Sequence, residues 1–118
     1  MRLKIGENIF NVKVVQSVND RAEGMMGKTF NDHYNGMLFL MDEDISCFWM
    51  KNCIIPLDII FIDRGTISKI HHDCPPCESE EDHECENYCG RGRMILEVDG
   101  GTCKELEISR GDQVQFLL

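Results

Sequence analysis

The stretch DCPPCESEEDHECENYCG places Cys74, Cys77, Cys85 and Cys89 at spacings of two, seven and three intervening residues. Thiolates are soft, charged ligands. Two close pairs in a segment without apolar periodicity suit a tetrahedral zinc site with sulfur at about 2.3 Å. A metal would also supply the ordering free energy that such a loop cannot gain by burial. The gap of seven is short beside the roughly 12–20 residues of common zinc ribbons. Zinc is the expected cofactor at Cys74, Cys77, Cys85 and Cys89; disulfides and unliganded thiols are the alternatives. His71, His72 and His83 stand close by, and His83 is able to replace one cysteine. An iron–sulfur cluster takes the same four thiolates, but nothing else in the chain points to electron transfer. The acidic residues around them do not follow calcium-loop spacing and lack its glycine. Cys47, Cys53 and Cys103 read as small buried hydrophobes, and no Cys/His pair marks a nucleophile.

A second constellation lies in CFWMKNCIIPLDIIFID, residues 47–63, where Trp49, Lys51, Asn52 and Asp58 interrupt an apolar run. One reading is structural. Lys51 and Asp58 would tie adjacent strands, Asn52 would form a turn ahead of Pro56, and Trp49 would sit in the core. The other reading is a cleft. Trp49 would be a flat wall, Lys51 a cationic anchor, Asn52 a donor and acceptor, and Asp58 a carboxylate at the rim. Arg21 and the glycines of EGMMG would form the opposite lip, because glycine permits close backbone approach. Such a cleft suits a small anionic or polar ligand. No Ser/His/Asp triad, phosphate loop or carboxylate pair accompanies it.

The elements that must position these residues are mostly strands. RLKIGENIFNVKVV alternates as a hairpin about GEN. In SVNDRAEGMMGK, Ser17 or Asn19 can cap a short helix through Asp20, Arg21, Ala22 and Glu23, which Gly24 and Gly27 close. GMLFLM, SCFWMKN, LDIIFID, TISKIHH, RMILEVD and QVQFLL read as further strands, and TCKELEI as a second short helix. Pro56 has no N–H for a sheet ladder, so IIPL marks an edge, bulge or turn. Residues 73–92 are expected to form one long Cys-rich acidic loop. Many short strands with tight turns predict an all-β, compact antiparallel β-sandwich or barrel-like domain with two short helices. Its expected core is Ile5, Val12, Val14, Leu38, Phe39, Trp49, Ile59, Phe61, Ile67, Ile95, Leu96, Val114 and Phe116.

The 118 residues suffice for one domain spanning 1–118. The net charge of −9 is concentrated. Seven acidic and no basic residues lie between Asp73 and Glu86, leaving 14 acidic against 12 basic elsewhere. Phosphate recognition needs clustered Lys and Arg, so nucleic acid is not an expected partner. No apolar run approaches the roughly 20 residues of a membrane span, and MRLKIGENIF has no signal-peptide character. The expected setting is soluble, cytoplasmic and reducing, which disfavours structural disulfides.

Several of these stretches occur together in one known family. The chain resembles the family called domain of unknown function 192. The resemblance is carried by Arg21–Met26, Gly36–Phe39, Phe48–Asn52 (FWMKN), Pro56–Asp63 (PLDIIFID), Pro76–Cys77, Leu96–Gly100 and Gly111–Asp112. It implies a compact, sandwich-like all-β domain and brings no established activity. Exported relatives make disulfides natural in that family; without a leader here, metal is the expectation, and this loop is richer in cysteine than the family pattern. The resulting expectation is a small, zinc-stabilised, non-enzymatic β domain. It would bind a small ligand or protein partner through Trp49, Lys51, Asn52, Asp58 and Arg21. A metal-dependent hydrolase or thiol-redox enzyme using the cysteine loop, and a structural module of an assembly, are the alternatives.

Overall fold

The computed structural model describes residues 1–117. Nine strands, β1 Arg2–Ile5, β2 Asn8–Val15, β3 Gly36–Leu40, β4 Ile45–Phe48, β5 Leu57–Asp63, β6 Thr66–Cys74, β7 Tyr88–Arg91, β8 Met94–Asp99 and β9 Val114–Leu117, carry the fold. Two short helices, α1 Val18–Glu23 and α2 Thr102–Glu105, complete it with a single 3-10 turn at Asp82–Glu84. The mostly β class expected from the sequence is what forms.

Seven strands make one sheet in the order β6-β5-β8-β3-β2-β1-β9, and β4 pairs with β7 in a separate ribbon. The β2–β3 pair is parallel, a departure from the all-antiparallel expectation. Its crossover is long enough to hold α1 and residues 24–35, and a parallel pair needs such a connection. The large sheet curls until its edge strands meet at one end. There Val114 N donates to Gly65 O (2.8 Å) and Ile67 N to Asp112 O (2.9 Å). Closing a sheet on itself removes exposed edges.

Curling gives the sheet a concave and a convex face, and both are buried over its centre. The concave core gathers Leu3, Ile5, Val12, Leu38, Ile60, Ile62, Leu96 and Val98, plugged by Cys103 and Ile108 of the α2 segment. The convex core gathers Met25, Met37, Phe39, Met50, Leu57, Ile59, Phe61 and Ile95. This is why LDIIFID lacks polar alternation: a strand covered on both faces is apolar at nearly every position. Two expected core residues, Val14 and Trp49, stand elsewhere. Val14 is 38% exposed, because β1 pairs with β2 only as far as Asn11 and leaves Val14 without a strand on that side. Val15, on the opposite face, is buried in its place. Trp49 is half-buried; Phe116 is also half-buried but packs against the concave core as expected.

The expected loop 73–92 is shorter than the sequence suggested. β6 continues to Cys74, and β7 lies inside the interval, leaving residues 75–87 between them. β7 rests on the convex face through Gly90, where a Cβ atom would run into the Phe61 ring. That close approach presses the β4–β7 ribbon onto the sheet and so positions Cys47, Phe48 and Trp49. No helix among the described residues is long and apolar enough to cross a membrane.

Candidate functional site

The four cysteines expected to share zinc are not gathered. Cys77 is joined to Cys85, and Cys89 to Cys47. Cys74 points into the convex core as a free thiol, with Cys53 and Cys103 also free and buried. Among the described residues no group of three or more His, Cys, Asp or Glu is placed to hold a metal. The donor set therefore does not fit the zinc expectation. The physical reason lies in the β4–β7 register, which puts Cys47 directly opposite Cys89 with Cα atoms 4.0 Å apart. Of the spare histidines His71 is committed, and His72 and His83 are exposed. His71 is wedged between the Phe61 and Tyr88 rings. Its Nε2–H donates to Cys89 O at 2.7 Å. His83 sits on the surface, 3.9 Å from Glu81 Oε2. Unfolding in denaturant without reductant should expose three thiols per chain, rising to the full seven after reduction. Seven thiols before reduction would overturn both disulfides.

The polar residues of the 47–63 stretch separate. Asp58 shares its direction with Ile60 and Ile62, so it faces the concave side, away from Trp49, and is 0% exposed. Its Oδ1 accepts from Asp73 N (2.7 Å) and Gly101 N (3.1 Å), and its Oδ2 from Cys103 N (2.8 Å). The carboxylate thus holds a bulge in β6, where Asp73 takes φ 49°, and anchors the α2 plug. Asp58 is a structural brace and not a rim carboxylate. Asn52 is exposed with φ 60°, a left-handed turn conformation that asparagine tolerates. Its carbonyl accepts from Gly27 N (2.9 Å), which joins the segment after β4 to the segment after α1.

Lys51 does reach the expected region, but its ammonium is occupied. Nζ donates to Ser79 O (3.0 Å) and Glu80 O (3.2 Å) and pairs with Asp82 Oδ1 at 2.7 Å. It gathers the acidic loop instead of waiting for an anion. Lys51→Ala should speed amide hydrogen exchange over residues 78–84 while leaving β5 and β8 unchanged; unaltered loop exchange would contradict this role.

What remains is a cleft of about 320 Å³ on the convex side. One wall comes from α1 and the residues after it: Arg21, Met25 and Met26. The other comes from Phe48, Trp49, Lys51 and Cys53. α1 is a defined wall because Ser17 caps it, accepting from Asp20 N at 3.1 Å. Arg21 is held in turn, donating to Leu40 O (3.2 Å) and pairing with Asp42 Oδ2 (3.3 Å).

Glu97 also lines this cleft. It lies on β8, a central strand, between Met37 of β3 and Ile59 of β5. It is only 3% exposed, and burial pushes its carboxyl up to about 8. Among the described residues no hydrogen bond or ion pair to that carboxyl is formed, and its oxygens are not fully closed off from the cleft: the fully buried side-chain polar atom without a partner is Ser46 Oγ. Burial, with the Glu97 charge, also pushes the Cys53 thiol up to about 11. Glu97 was not among the site residues expected from sequence. A carboxylate between Leu96 and Val98 in MILEVD was the signal, because an acid inside a buried strand is costly unless it has work to do.

The cleft therefore keeps Trp49, Lys51 and Arg21 of the expected set, adds Glu97, and loses Asp58 and Asn52. Comparison with solved structures gives the same fold twice. A protein of unknown function from Novosphingobium aromaticivorans DSM 12444 is 29% identical with a TM-score of 0.82, over 98% of this chain and 84% of that one. A protein from Sinorhizobium meliloti 1021 described as a "putative transcription regulator" is 30% identical with a TM-score of 0.78, over 97% of this chain and 89% of that one. No curated protein matches significantly. The model of the family described as "Uncharacterized ACR" matches residues 1–116, and the chain belongs to that family, domain of unknown function 192.

Proposed function

We propose that this chain is a small, non-enzymatic binding domain whose Arg21/Trp49/Glu97 cleft takes a small ligand with an apolar body and one polar group. The observation that carries the reading is Glu97: a carboxyl 3% exposed, without a protein partner and lining an apolar cleft. A buried polar group normally finds a partner within its own fold, and the exceptions call for a reason. A concave, mostly apolar space with one or two convergent polar groups is the usual form of a small-molecule site. Nucleic acid remains outside the proposal, since the charge of −9 disfavours phosphate.

Thiol chemistry is the less favoured reading. A nucleophilic cysteine needs a lowered pKa, whereas the free thiol lining the cleft, Cys53, is pushed up to about 11. The two disulfides favour an oxidising compartment over the cytoplasmic one expected from the sequence.

Screening small fragments by amide chemical-shift mapping tests the proposal. Perturbations should cluster at Met25, Met26, Trp49, Cys53 and Glu97. Fragments that perturb only the opposite groove around His72, Lys104 and Arg110 would reject this cleft as the site.

A further inference from the structure

Four charged side chains line the cleft: Arg21, Glu23, Lys51 and Glu97. Three have partners of opposite charge: Asp42 for Arg21, Lys28 for Glu23, and Asp82 for Lys51. Their charges are balanced before any ligand arrives. Glu97 is the exception, and the groups facing it do not balance it. Cys53 shares the cleft, and Cys74 lies in the same convex core; both are neutral thiols at ordinary pH. Much of the remaining wall is aromatic rings, Phe48 and Trp49, and the thioethers of Met25, Met26 and Met41, with Val18 and Ala22 beside them. Such polarizable surfaces favour a cation over an anion.

The surroundings carry the same sign. Lys51, which lines the cleft, holds the acidic loop at Ser79, Glu80 and Asp82, so this part of the loop stands near the cleft. Negative charge at a cleft raises the local concentration of cations and speeds their encounter.

We propose that the cleft takes a compact organic cation, an alkylammonium group on an apolar body, whose charge pairs with the Glu97 carboxylate while the body lies against Trp49 and the methionines. This rests on the cleft reading above. With its carboxyl pushed up to about 8 by burial, free Glu97 is mostly protonated at pH 7. Pairing with an ammonium favours the ionised form, so the proton leaves to solvent as the cation enters. Nothing is oxidised and no covalent bond to the ligand forms. A neutral hydrogen-bond acceptor would do the opposite, using the protonated carboxyl as donor and losing affinity above pH 8. An anion would use Arg21 and bind best at low pH.

Calorimetric titration of the full chain with hexylammonium, hexanoate and hexanol at pH 7 separates these cases, run in two buffers of different ionisation enthalpy. A primary ammonium stays charged well past this pH, titrating near the lysine value of about 10.4. Hexylammonium should bind with release of close to one proton and tighten as pH rises from 7 to 9. Glu97→Gln should weaken it by about tenfold or more. The wild-type proton count decides the matter even if that variant does not fold. Hexanol binding as well as hexylammonium, with no proton released, overturns the cation assignment and leaves the cleft standing. Hexanoate binding that Arg21→Ala abolishes does the same in favour of an anion. Failure of all three to bind overturns the cleft reading itself.

Discussion

Asp58→Ala should destabilise the fold by about 4 kcal/mol, in the range seen when a buried charge network is broken. The substitution strands three backbone N–H groups that the carboxylate satisfies, at Asp73, Gly101 and Cys103. An orphaned buried donor costs roughly 1–3 kcal/mol. The removed side chain also leaves a space where the α2 plug meets the sheet. Asp58→Asn keeps the shape but turns an amide NH2 toward backbone donors, so it should recover only part of the loss. Urea unfolding gives the stabilities, and hydrogen exchange should show lost protection at Cys103, Leu106 and Ile108, whose amides lie in the anchored segment. A change within about 0.5 kcal/mol, ordinary for surface positions, would remove Asp58 from its bracing role.

The second large effect is a dependence of stability on pH that Glu97 sets. Its carboxyl is raised from 4.5 to about 8 on folding, by burial. The folded state therefore holds a proton that the unfolded state has lost between those values. The associated stability is fully present below pH 4.5 and declines as pH rises, until the decline is complete above pH 8. Across that window the contribution amounts to about 5 kcal/mol at 1.36 kcal/mol per pH unit. Glu97→Gln has no such proton and should be flat there once the groups common to both proteins are subtracted. The variant should be the more stable protein at pH 8.5. Equal slopes for wild type and variant between pH 5 and 8 would show that the carboxyl is solvated or paired. The same buried acid that weakens the free protein is what a cationic ligand would relieve, so stability and binding are two readings of one residue.

How much of this was legible in the sequence differs from residue to residue. The β5 strand was plain in LDIIFID, and α1 in Ser17 and Gly24, because each rests on local pattern and capping. Asp58 was misplaced for a reason of symmetry. In a strand buried on both faces, alternation does not say which face holds the site, and Asp58 proved to belong with Ile60 and Ile62. Trp49, Lys51 and Arg21 did come together, although the ammonium of Lys51 serves the acidic loop. The cysteines misled because spacing along the chain suggested a knuckle, while their pairing follows the register of β4 on β7. YCGR has no alternation from which that register, or the strand itself, is readable. Glu97 was visible as a misfit in MILEVD. Only the fold shows that no cation among the described residues pairs with it.

The binding role rests on Glu97, a buried carboxyl without a hydrogen-bond or ion-pair partner among the described residues. Its most direct test follows the Glu97 side-chain carboxyl carbon by NMR across pH 3 to 10 in the free protein. The midpoint should fall near 8 and move down when hexylammonium is added. A midpoint near 4.5, the ordinary value, would mean that water or a protein cation already serves this group, and the cleft would lose the feature on which its binding role depends.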